Sequence, residues 1–418
     1  MVDVTKLPSG IAVITDTMKD VDTVSLGFWV SVGSRFEEDN INGISHLLEH
    51  MAFKGTTSRS AFQIAEAVEN VGGIINAYTS HEVTAYYVKV LKQDVPLGLS
   101  ILTDILQNST MVDEELTREK EVVIQEIGQT YDAPDDAVFE YYQSTAYPNQ
   151  PFGRSILGTA EKVRAVSRDT LLSYMHDEYT ASRVVVSAAG NIEHSYLTEQ
   201  IEKLLTSLHA TGGRVMQPSK YVGGEYRQEK QIEQVNLLLG FEGVPYNHPE
   251  HIAQTVLATV LGGGMSSRLF QEIREKRGLV YSIYSFASSC LDSGSFTIFA
   301  GTGEKQVAEL LPVVCDELLK ATHTLTQDEI ERAKTQLKAG VLMKRESTSA
   351  RAEGNARDMA IYGRIIDKDE TLAKVDAVSK EQLEKLALSI FTSKPTLASL
   401  GPVKHVLSYD KLQERLKV

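Results

Sequence analysis

Two histidines and a glutamate lie close together in the stretch HLLEH, residues 46–50, which is otherwise apolar. On a helix, His46 and His50 occupy positions i and i+4 and project from the same face, and Glu49 lies at the flank of that face. Two imidazoles at this spacing can bind one Zn²⁺, with Glu49 beside the coordination position left open for water. A carboxylate placed there can take a proton from the water, so the pattern indicates metal-assisted hydrolysis. The order H-x-x-E-H is the inverted form of the HExxH zinc motif.

The chain repeats its own design, and the repeat lacks these three polar side chains. Both halves run strand, apolar helix, Gly-containing turn, the dipeptide SR, amphipathic helix, glycine and strand. When KGTTSR is placed opposite GGGMSSR, the positions of His46, Glu49 and His50 fall opposite two threonines and an alanine. The fold therefore does not need the three polar groups. This favours a chemical role for them over a pair of hydrogen-bonded core histidines.

The repeat predicts an α+β protein made of two duplicated sheet-plus-helix domains. We expect residues 1–208 to form a catalytic, zinc-binding domain. We expect residues 231–418 to form a homologous non-catalytic domain that contributes to substrate binding. The predicted linker, residues 209–230, is rich in glycine and polar residues and lacks an apolar period.

Two predicted helices must bring the metal ligands together. The first is expected to begin near Asn40 or Asn42, both good caps, and to end at Lys54–Gly55. Catalytic zinc usually has three protein ligands, and because the chain has only two cysteines the third ligand is expected to be a carboxylate. The segment DEELTREKEVVIQEIGQTYD predicts a second helix, in which Glu119 and Glu126 lie two turns apart on a partly apolar face. Periodicity alone leaves both of them open as the third ligand.

The same segments resemble a known family. GSRFE, HLLEHMAFKGT, GGIINAYTSHEVTAYY and REKRGLVYS are similar to the M16 (pitrilysin/insulysin-like) zinc metallopeptidases, and the similarity covers essentially the whole chain. The short two-domain form resembles the bacterial relatives of the mitochondrial processing peptidase β subunit. The resemblance implies the M16/LuxS-like fold, one Zn²⁺ per chain held by His46, His50 and Glu126, and Glu49 as the general base. It also implies that Glu119 is a carboxylate that orients a ligand histidine.

The resemblance further implies how substrate is held. In GGIINAYTSHEVTAYYVKV, a strand near the active site would pair with an extended peptide, with Asn76 and Ala77 as the contacts. A side-chain-capped turn is the alternative for Asn76. Arg277 and Tyr284, seven residues apart, match an Arg/Tyr pair that holds substrate near the zinc, and Tyr281 is the competing tyrosine. An ordinary sheet with an exposed arginine is the alternative there.

The predicted activity is that of a zinc endopeptidase that cleaves unfolded peptides or presequence-like segments inside a dimeric chamber. The family resemblance implies a homodimer, with a heterodimer as the alternative. The net charge of −14 argues against nucleic-acid binding and favours basic peptide substrates. Two other interpretations stay open: a non-catalytic scaffold like the core subunits of a respiratory complex, and a purely structural zinc site.

The ends and the composition of the chain predict its location. No apolar stretch approaches the length of a membrane span. The first residues, MVDVTKLPSGIAVITDTMKD, lack the pattern of a signal or transit peptide. Two cysteines suit a reducing compartment. We therefore expect a cytoplasmic protein that does not bind membranes.

Overall fold

The structure is a computed structural model that describes residues 2–417. The strands in this range are β1 (Val2–Lys6), β2 (Ala12–Thr17), β3 (Thr23–Val30), β4 (Ile74–Thr79), β5 (Thr84–Leu91), β6 (Val184–Gly190), β7 (Gly224–Glu229), β8 (Gln234–Glu242), β9 (Val280–Ser289), β10 (Gly294–Gly303) and β11 (Thr396–Gly401). The helices are α1 (Ile44–Ala52), α2 (Ala61–Glu69), α3 (Val95–Asn108), α4 (Asp113–Asp132), α5 (Pro134–Ala146), α6 (Ala160–Ala165), α7 (Arg168–Glu178), α8 (His194–Leu204), α9 (His251–Gly262), α10 (Val307–Ala321), α11 (Gln327–Lys344), α12 (Thr348–Tyr362), α13 (Lys368–Ala377), α14 (Lys380–Phe391) and α15 (Tyr409–Arg415). Within residues 2–417, none of these helices has both the length and the apolar composition to cross a membrane.

The chain forms two compact units, and each unit contains segments from both halves of the sequence. Unit 1 comprises the residues up to Gly128, Arg154–Gln217 and Met343–Ile366. Unit 2 comprises Gln129–Gly153, Pro218–Leu342 and the residues from Asp367 onward. The step from Gln217 to Pro218 lies inside the predicted linker. However, α5 precedes the predicted linker and belongs to unit 2, and α12 follows the linker and belongs to unit 1. Helix α5 packs on the sheet of unit 2, and α12 packs on the sheet of unit 1.

Unit 1 is built on a six-stranded sheet with the strand order β1-β2-β6-β3-β5-β4, in which only β2 and β6 pair in parallel. Side chains alternate along β3, so Leu26 and Phe28 enter the main core together with α1 and α3. The opposite face carries Trp29 together with aliphatic residues and is covered by α12. There, Ser25 Oγ lies 2.8 Å from Thr348 Oγ1. The central strands β3 and β6 are therefore buried on both faces, and β4 forms one edge of the sheet.

Unit 2 repeats this architecture with a five-stranded sheet in the order β7-β11-β8-β10-β9. Its one parallel pair, β7 and β11, corresponds to β2 and β6, and the remaining pairs are antiparallel as in unit 1. Helix α5 covers one face through Val138 and Tyr142, which pack with Leu238 of β8. The prediction of two duplicated α+β domains is confirmed, and β4 and β9 are equivalent edge strands.

Candidate active site

A buried glutamate, and not either of the predicted asparagines, caps the start of helix α1. Gly43 precedes the helix with a φ of 98°, a left-handed conformation that favours glycine. The Glu37 carboxyl oxygens accept hydrogen bonds of 2.8 Å from the Gly43 and Ser45 N–H groups and from the Asn42 side-chain amide. These bonds satisfy backbone donors that a helix leaves unpaired at its start. The helix therefore begins near Asn42 as predicted, but the Glu37 carboxylate and not an asparagine side chain caps its backbone N–H groups.

The polar trio lies on the less buried side of α1. The core-facing residues of the helix are fully buried: Ile44, Leu47, Leu48 and Met51. His46, Glu49 and His50 keep part of their surface accessible. The helix ends at Ala52, before the predicted end at Lys54–Gly55. An amphipathic helix thus fixes the backbone from the apolar side and presents the trio on the other side.

In the equivalent helix of unit 2, α9, the two threonines opposite the histidines form their hydrogen bonds within the helix. Thr255 and Thr259 each donate to the carbonyl oxygen four residues earlier in the same helix, over 3.1 and 2.9 Å. Ala258, opposite Glu49 in the repeat, is buried. The helix position is therefore compatible with ordinary core residues. The trio of α1 needs an explanation beyond the fold.

Three side chains of unit 1 converge on one point. The ligand atoms of His46, His50 and Glu126 all lie within 4.8 Å of one another. Glu126 Oε2 is 3.6 Å from His46 Nε2 and 3.5 Å from His50 Nε2. Zinc bonds of about 2.0–2.2 Å place neighbouring tetrahedral ligands about 3.3–3.6 Å apart. Two imidazole nitrogens and a carboxylate oxygen are also a donor set that zinc accepts, so these residues fit a zinc ion.

The two histidines differ in their readiness to take a proton. Burial and the neighbouring His50 lower the pKa of His46 to about 4, so its ring is neutral near pH 7. Burial disfavours a charge on His50 as well. However, its hydrogen bond with Glu119 and the nearby carboxylates of Glu126 and Glu49 outweigh burial and raise its pKa. A metal ion and a proton compete for the His50 ring, so metal affinity should fall as the pH is lowered.

Glu119 contacts His50 at Nδ1, the ring nitrogen that does not face Glu126. Glu119 Oε2 is 3.1 Å from His50 Nδ1, and its other oxygen forms a 2.7 Å ion pair with Lys54 Nζ. Burial raises the pKa of Glu119, but the hydrogen bonds from His50 and Lys54 outweigh burial and lower it. The carboxylate is therefore charged and accepts the Nδ1–H, which leaves His50 Nε2 with its lone pair. Sequence periodicity treated Glu119 and Glu126 alike, whereas the structure places Glu126 at the two Nε2 atoms and Glu119 behind one ring.

Glu49 is half-buried, and a hydroxyl group holds one of its oxygens. Thr79 Oγ1 donates to Glu49 Oε2 over 2.6 Å. Burial raises the pKa of Glu49; the Thr79 hydrogen bond and His50 lower it in part, and Glu126 raises it further. A carboxyl group with a raised pKa is better matched to proton transfer near neutral pH than an exposed one.

The segment that carries Asn76 and Ala77 has the predicted strand, turn and strand. Strands β4 and β5 pair antiparallel, and β4 is the edge of the sheet. Asn76 is exposed, and its Oδ1 accepts a 2.8 Å hydrogen bond from the Ala77 N–H. An open edge of this kind can accept an extended peptide, and the substrate contacts of Asn76 and Ala77 stay a prediction.

In unit 2, Arg277 lies in the turn between a π-helical segment, Phe270–Glu275, and β9. Its guanidinium forms ion pairs with Glu272 at 3.0 Å and Glu309 at 3.1 Å. Tyr284, on β9, stacks on a neighbouring phenylalanine with 5.1 Å between ring centroids. Within residues 2–417, the structure records no contact between Arg277 and either tyrosine. Their predicted pairing is untested.

Arg274, which sequence reasoning missed, lies against Tyr281. Its guanidinium carbon is 5.8 Å from the centroid of the Tyr281 ring and 4.7 Å from that of Phe270, within the range of a cation–π interaction. Tyr281 is 77% exposed. Arg274 and Tyr281 are also seven residues apart, so the spacing that singled out Arg277 and Tyr284 fits them equally. That spacing is the signal that could have found Arg274.

Most of the chain matches the two halves of one peptidase family. Residues 12–160 match the family described as "Insulinase (Peptidase family M16)". Residues 165–337 match the one described as "Peptidase M16 inactive domain". The converging residues of α1 and α4 lie in the first match, and the arginines and tyrosines next to and within β9 lie in the second.

Similar proteins cover nearly the whole chain. A protein of Rickettsia felis named "Uncharacterized zinc protease" is 40% identical over 96% of this chain and 97% of its own length. A protein of Bacillus subtilis named "Uncharacterized zinc protease YmxG" is 39% identical over 94% of this chain and 97% of its own length. A protein of Arabidopsis thaliana, named as a probable mitochondrial-processing peptidase subunit beta, is 34% identical over 99% of this chain and 80% of its own length.

Two solved structures share the fold. The crystal structure of a protease from Helicobacter pylori superposes with a TM-score of 0.88 at 22% identity, covering 96% of this chain and 99% of that chain. A chain of complex III2 from Candida albicans superposes with a TM-score of 0.89 at 20% identity, covering 100% of both chains. At these identities, the likeness concerns the fold alone.

Proposed function

Because the chain belongs to peptidase family M16, we propose that it is a zinc-dependent endopeptidase with one Zn²⁺ per chain. The observation that carries the proposal is the convergence of His46 Nε2, His50 Nε2 and Glu126 Oε2, with Glu49 on the same helix as the histidines. Zinc, when bound, would act as a Lewis acid toward a peptide carbonyl and would lower the pKa of water.

In this proposal, each protein group near the metal has a separate task. His46 is neutral and offers its Nε2 lone pair. Glu119 accepts the Nδ1–H of His50, which fixes the tautomer and the ring orientation so that Nε2 faces Glu126. Lys54 compensates the charge of Glu119. Glu126 supplies the negative charge that makes the donor set selective for a cation.

Glu49 moves the proton in this proposal. Its carboxylate oxygen accepts a proton from the attacking water, and the water oxygen forms a bond to the peptide carbonyl carbon. The same carboxyl group then gives the proton to the amide nitrogen as the C–N bond breaks. The products are a free carboxylate and a free amine, so the reaction is peptide hydrolysis.

The proposed substrate is an unfolded peptide or a presequence-like segment. Such a peptide could pair with the open edge of β4 near Asn76 and Ala77, which a segment locked inside a folded domain cannot do. The name of the Arabidopsis relative, a probable mitochondrial-processing peptidase subunit, supports this substrate class. We further propose, from the family resemblance, a homodimer that encloses the site, in the cytoplasm.

Hydrolysis of a fluorescence-quenched unstructured peptide by the zinc-loaded protein tests the function. We expect cleavage of the free peptide and no cleavage of the same sequence buried inside a stable folded domain. Failure to cleave any of a set of unstructured peptides, with zinc bound at one ion per chain, would contradict the proposal.

A basic peptide is expected to be a better substrate than an acidic peptide of matched length. The chain carries a net charge of −14, and an acidic surface raises the local concentration of cationic substrates. The comparison uses kcat/KM for two peptides that differ only in Lys/Arg against Asp/Glu at several positions, at two ionic strengths. Equal values, or a preference for the acidic peptide, would refute the electrostatic argument.

Arg274 is expected to contribute to substrate binding more than Arg277. Arg274 lies against the exposed Tyr281, whereas Arg277 is already paired with Glu272 and Glu309. Arg274→Ala should therefore raise KM, and Arg277→Ala should leave KM near the wild-type value. If Arg277→Ala raises KM and Arg274→Ala does not, the pairing of Arg277 with a tyrosine that the sequence predicts is the better interpretation.

The alternative function is a non-catalytic scaffold. Its support is the likeness in fold to a chain of complex III2 from Candida albicans. The converging donor set argues against this alternative, because a scaffold has no need for two histidines and a glutamate at one point. A scaffold would bind no zinc and would hydrolyse no peptide.

A further inference from the structure

We infer that Thr79 is a positioning residue that fixes the carboxylate of Glu49 through its hydroxyl group. This inference rests on the proposed function, because it assigns Thr79 a task in the same reaction. The contact itself is a 2.6 Å hydrogen bond from Thr79 Oγ1 to Glu49 Oε2. Both residues are partly buried, so water competes poorly for the bond.

The alternation of side chains along β4 places Thr79 on the side of α1. Ile75 and Ala77 pack against the core cluster to which the apolar side of α1 belongs. Tyr78, one residue out of phase, packs on the opposite face of the sheet. Thr79 continues the series of Ile75 and Ala77 by two residues. The strand therefore ends with a hydroxyl group on the face where its earlier residues are apolar, next to Glu49.

Strand pairing and hydrogen bonds restrain the backbone around Thr79. Thr79 pairs with Thr84 at the end of the ladder between β4 and β5, and the Ser80 N–H donates to Val83 O over 2.8 Å in the turn that follows. On the opposite face of β4, the indole N–H of Trp29 donates to the Tyr78 hydroxyl over 3.2 Å. A hydroxyl group on such an element has little freedom to move.

A single hydroxyl hydrogen can hold only one oxygen of the carboxylate. Glu49 Oε2 is the one held, and within residues 2–417 no protein donor contacts Oε1. Glutamate has three side-chain torsions, so without this bond the carboxylate would sample several orientations. With the bond, Oε1 is left in a fixed place to accept the proton from water. Displacements of about 1 Å in such groups can cost about 10²-fold in rate.

The bond also joins the proton acceptor to the strand proposed to hold the substrate. Asn76, Ala77 and Thr79 lie on the same short strand, which is rigid along its paired edge. A peptide that pairs with β4 would therefore be aligned by the same strand that orients Glu49. This arrangement predicts an effect of Thr79 on kcat and little effect on KM.

The test compares Thr79→Val, which keeps the shape and removes the donor, with Thr79→Ser, which keeps the donor. We expect Thr79→Val to lower kcat by about 10–100-fold, as loss of an orienting partner typically does, with KM and zinc content unchanged. Thr79→Ser should recover most of the activity. Thr84→Val is the matched control, because Thr84 lies directly across the hairpin and donates instead to Val32 O. The control should change thermal stability and not kcat.

The coupling to Glu49 has its own readout. In a Glu49→Gln background, adding Thr79→Val should lower the residual kcat no further, because the two residues act as one unit. Zinc-loaded Thr79→Val with wild-type kcat would overturn this inference and leave the proposed function standing. Thr79→Ser that binds zinc and is no more active than Thr79→Val would also overturn it. Zinc-loaded wild-type protein without peptidase activity would overturn both.

Discussion

Replacing Glu49 by glutamine is expected to lower kcat by about 10²–10⁴-fold, the range that general acid–base catalysis contributes. Glutamine has nearly the same shape and can still contact Thr79, but it cannot take a proton from water. The metal-binding atoms belong to His46, His50 and Glu126, so the variant should bind zinc like the wild type. The measurement is kcat on a quenched peptide, with zinc quantified in the same sample.

Glu69→Gln is the matched control for this variant. Glu69 is an exposed glutamate on α2, also in unit 1, and its replacement makes the same change in charge. We expect wild-type activity from it. If Glu49→Gln binds zinc and retains full activity, the zinc site is structural and the proposed role of Glu49 is wrong.

Replacing Glu126 by glutamine is expected to have the second large effect, which unlike that of Glu49→Gln includes a loss of zinc affinity. Glu126 Oε2 lies near both Nε2 atoms, and glutamine would replace this charged oxygen donor by a neutral amide, which binds zinc weakly. Zinc affinity and peptidase activity should fall together. A competition titration against a chromophoric chelator measures the affinity, and added zinc tests whether activity returns.

Glu119→Gln on the same helix provides the comparison for Glu126→Gln. Glu119 contacts Nδ1 of His50, whereas Glu126 lies near Nε2 of the same ring. Its replacement should weaken zinc binding by about 10–100-fold, the usual cost of losing a carboxylate that orients a ligand histidine. Excess zinc should then restore most of the activity. If Glu119→Gln cannot be saturated with zinc whereas Glu126→Gln can, the two glutamates have been assigned in the wrong order.

Local spacing explains why part of the site could be predicted from the sequence. His46 and His50 are four residues apart on one helix, so their shared face follows from helix geometry alone. Glu119 and Glu126 are two turns apart, so periodicity puts both on one face and cannot separate them. Their difference lies in distances between two helices, which only the folded chain defines.

Other features depended on contacts that no local pattern encodes. Glu37 caps α1 from outside the helix, so an asparagine close to the start looked like the better candidate. The duplicated fold was predictable from the repeat of strands and helices. The packing of α5 on the second sheet and of α12 on the first was not predictable. An amphipathic pattern shows that a helix packs on a sheet, but it does not show which sheet the helix covers.

Zinc dependence of peptide hydrolysis is tested by a zinc titration of metal-free protein with hydrolysis followed in the same samples. We predict that chelation abolishes hydrolysis and that activity returns in proportion to zinc, reaching its maximum at one ion per chain. His46→Ala should neither bind zinc with comparable affinity nor recover activity. Hydrolysis that persists in metal-free protein, or a wild-type chain that binds no zinc, would contradict a zinc-dependent peptidase.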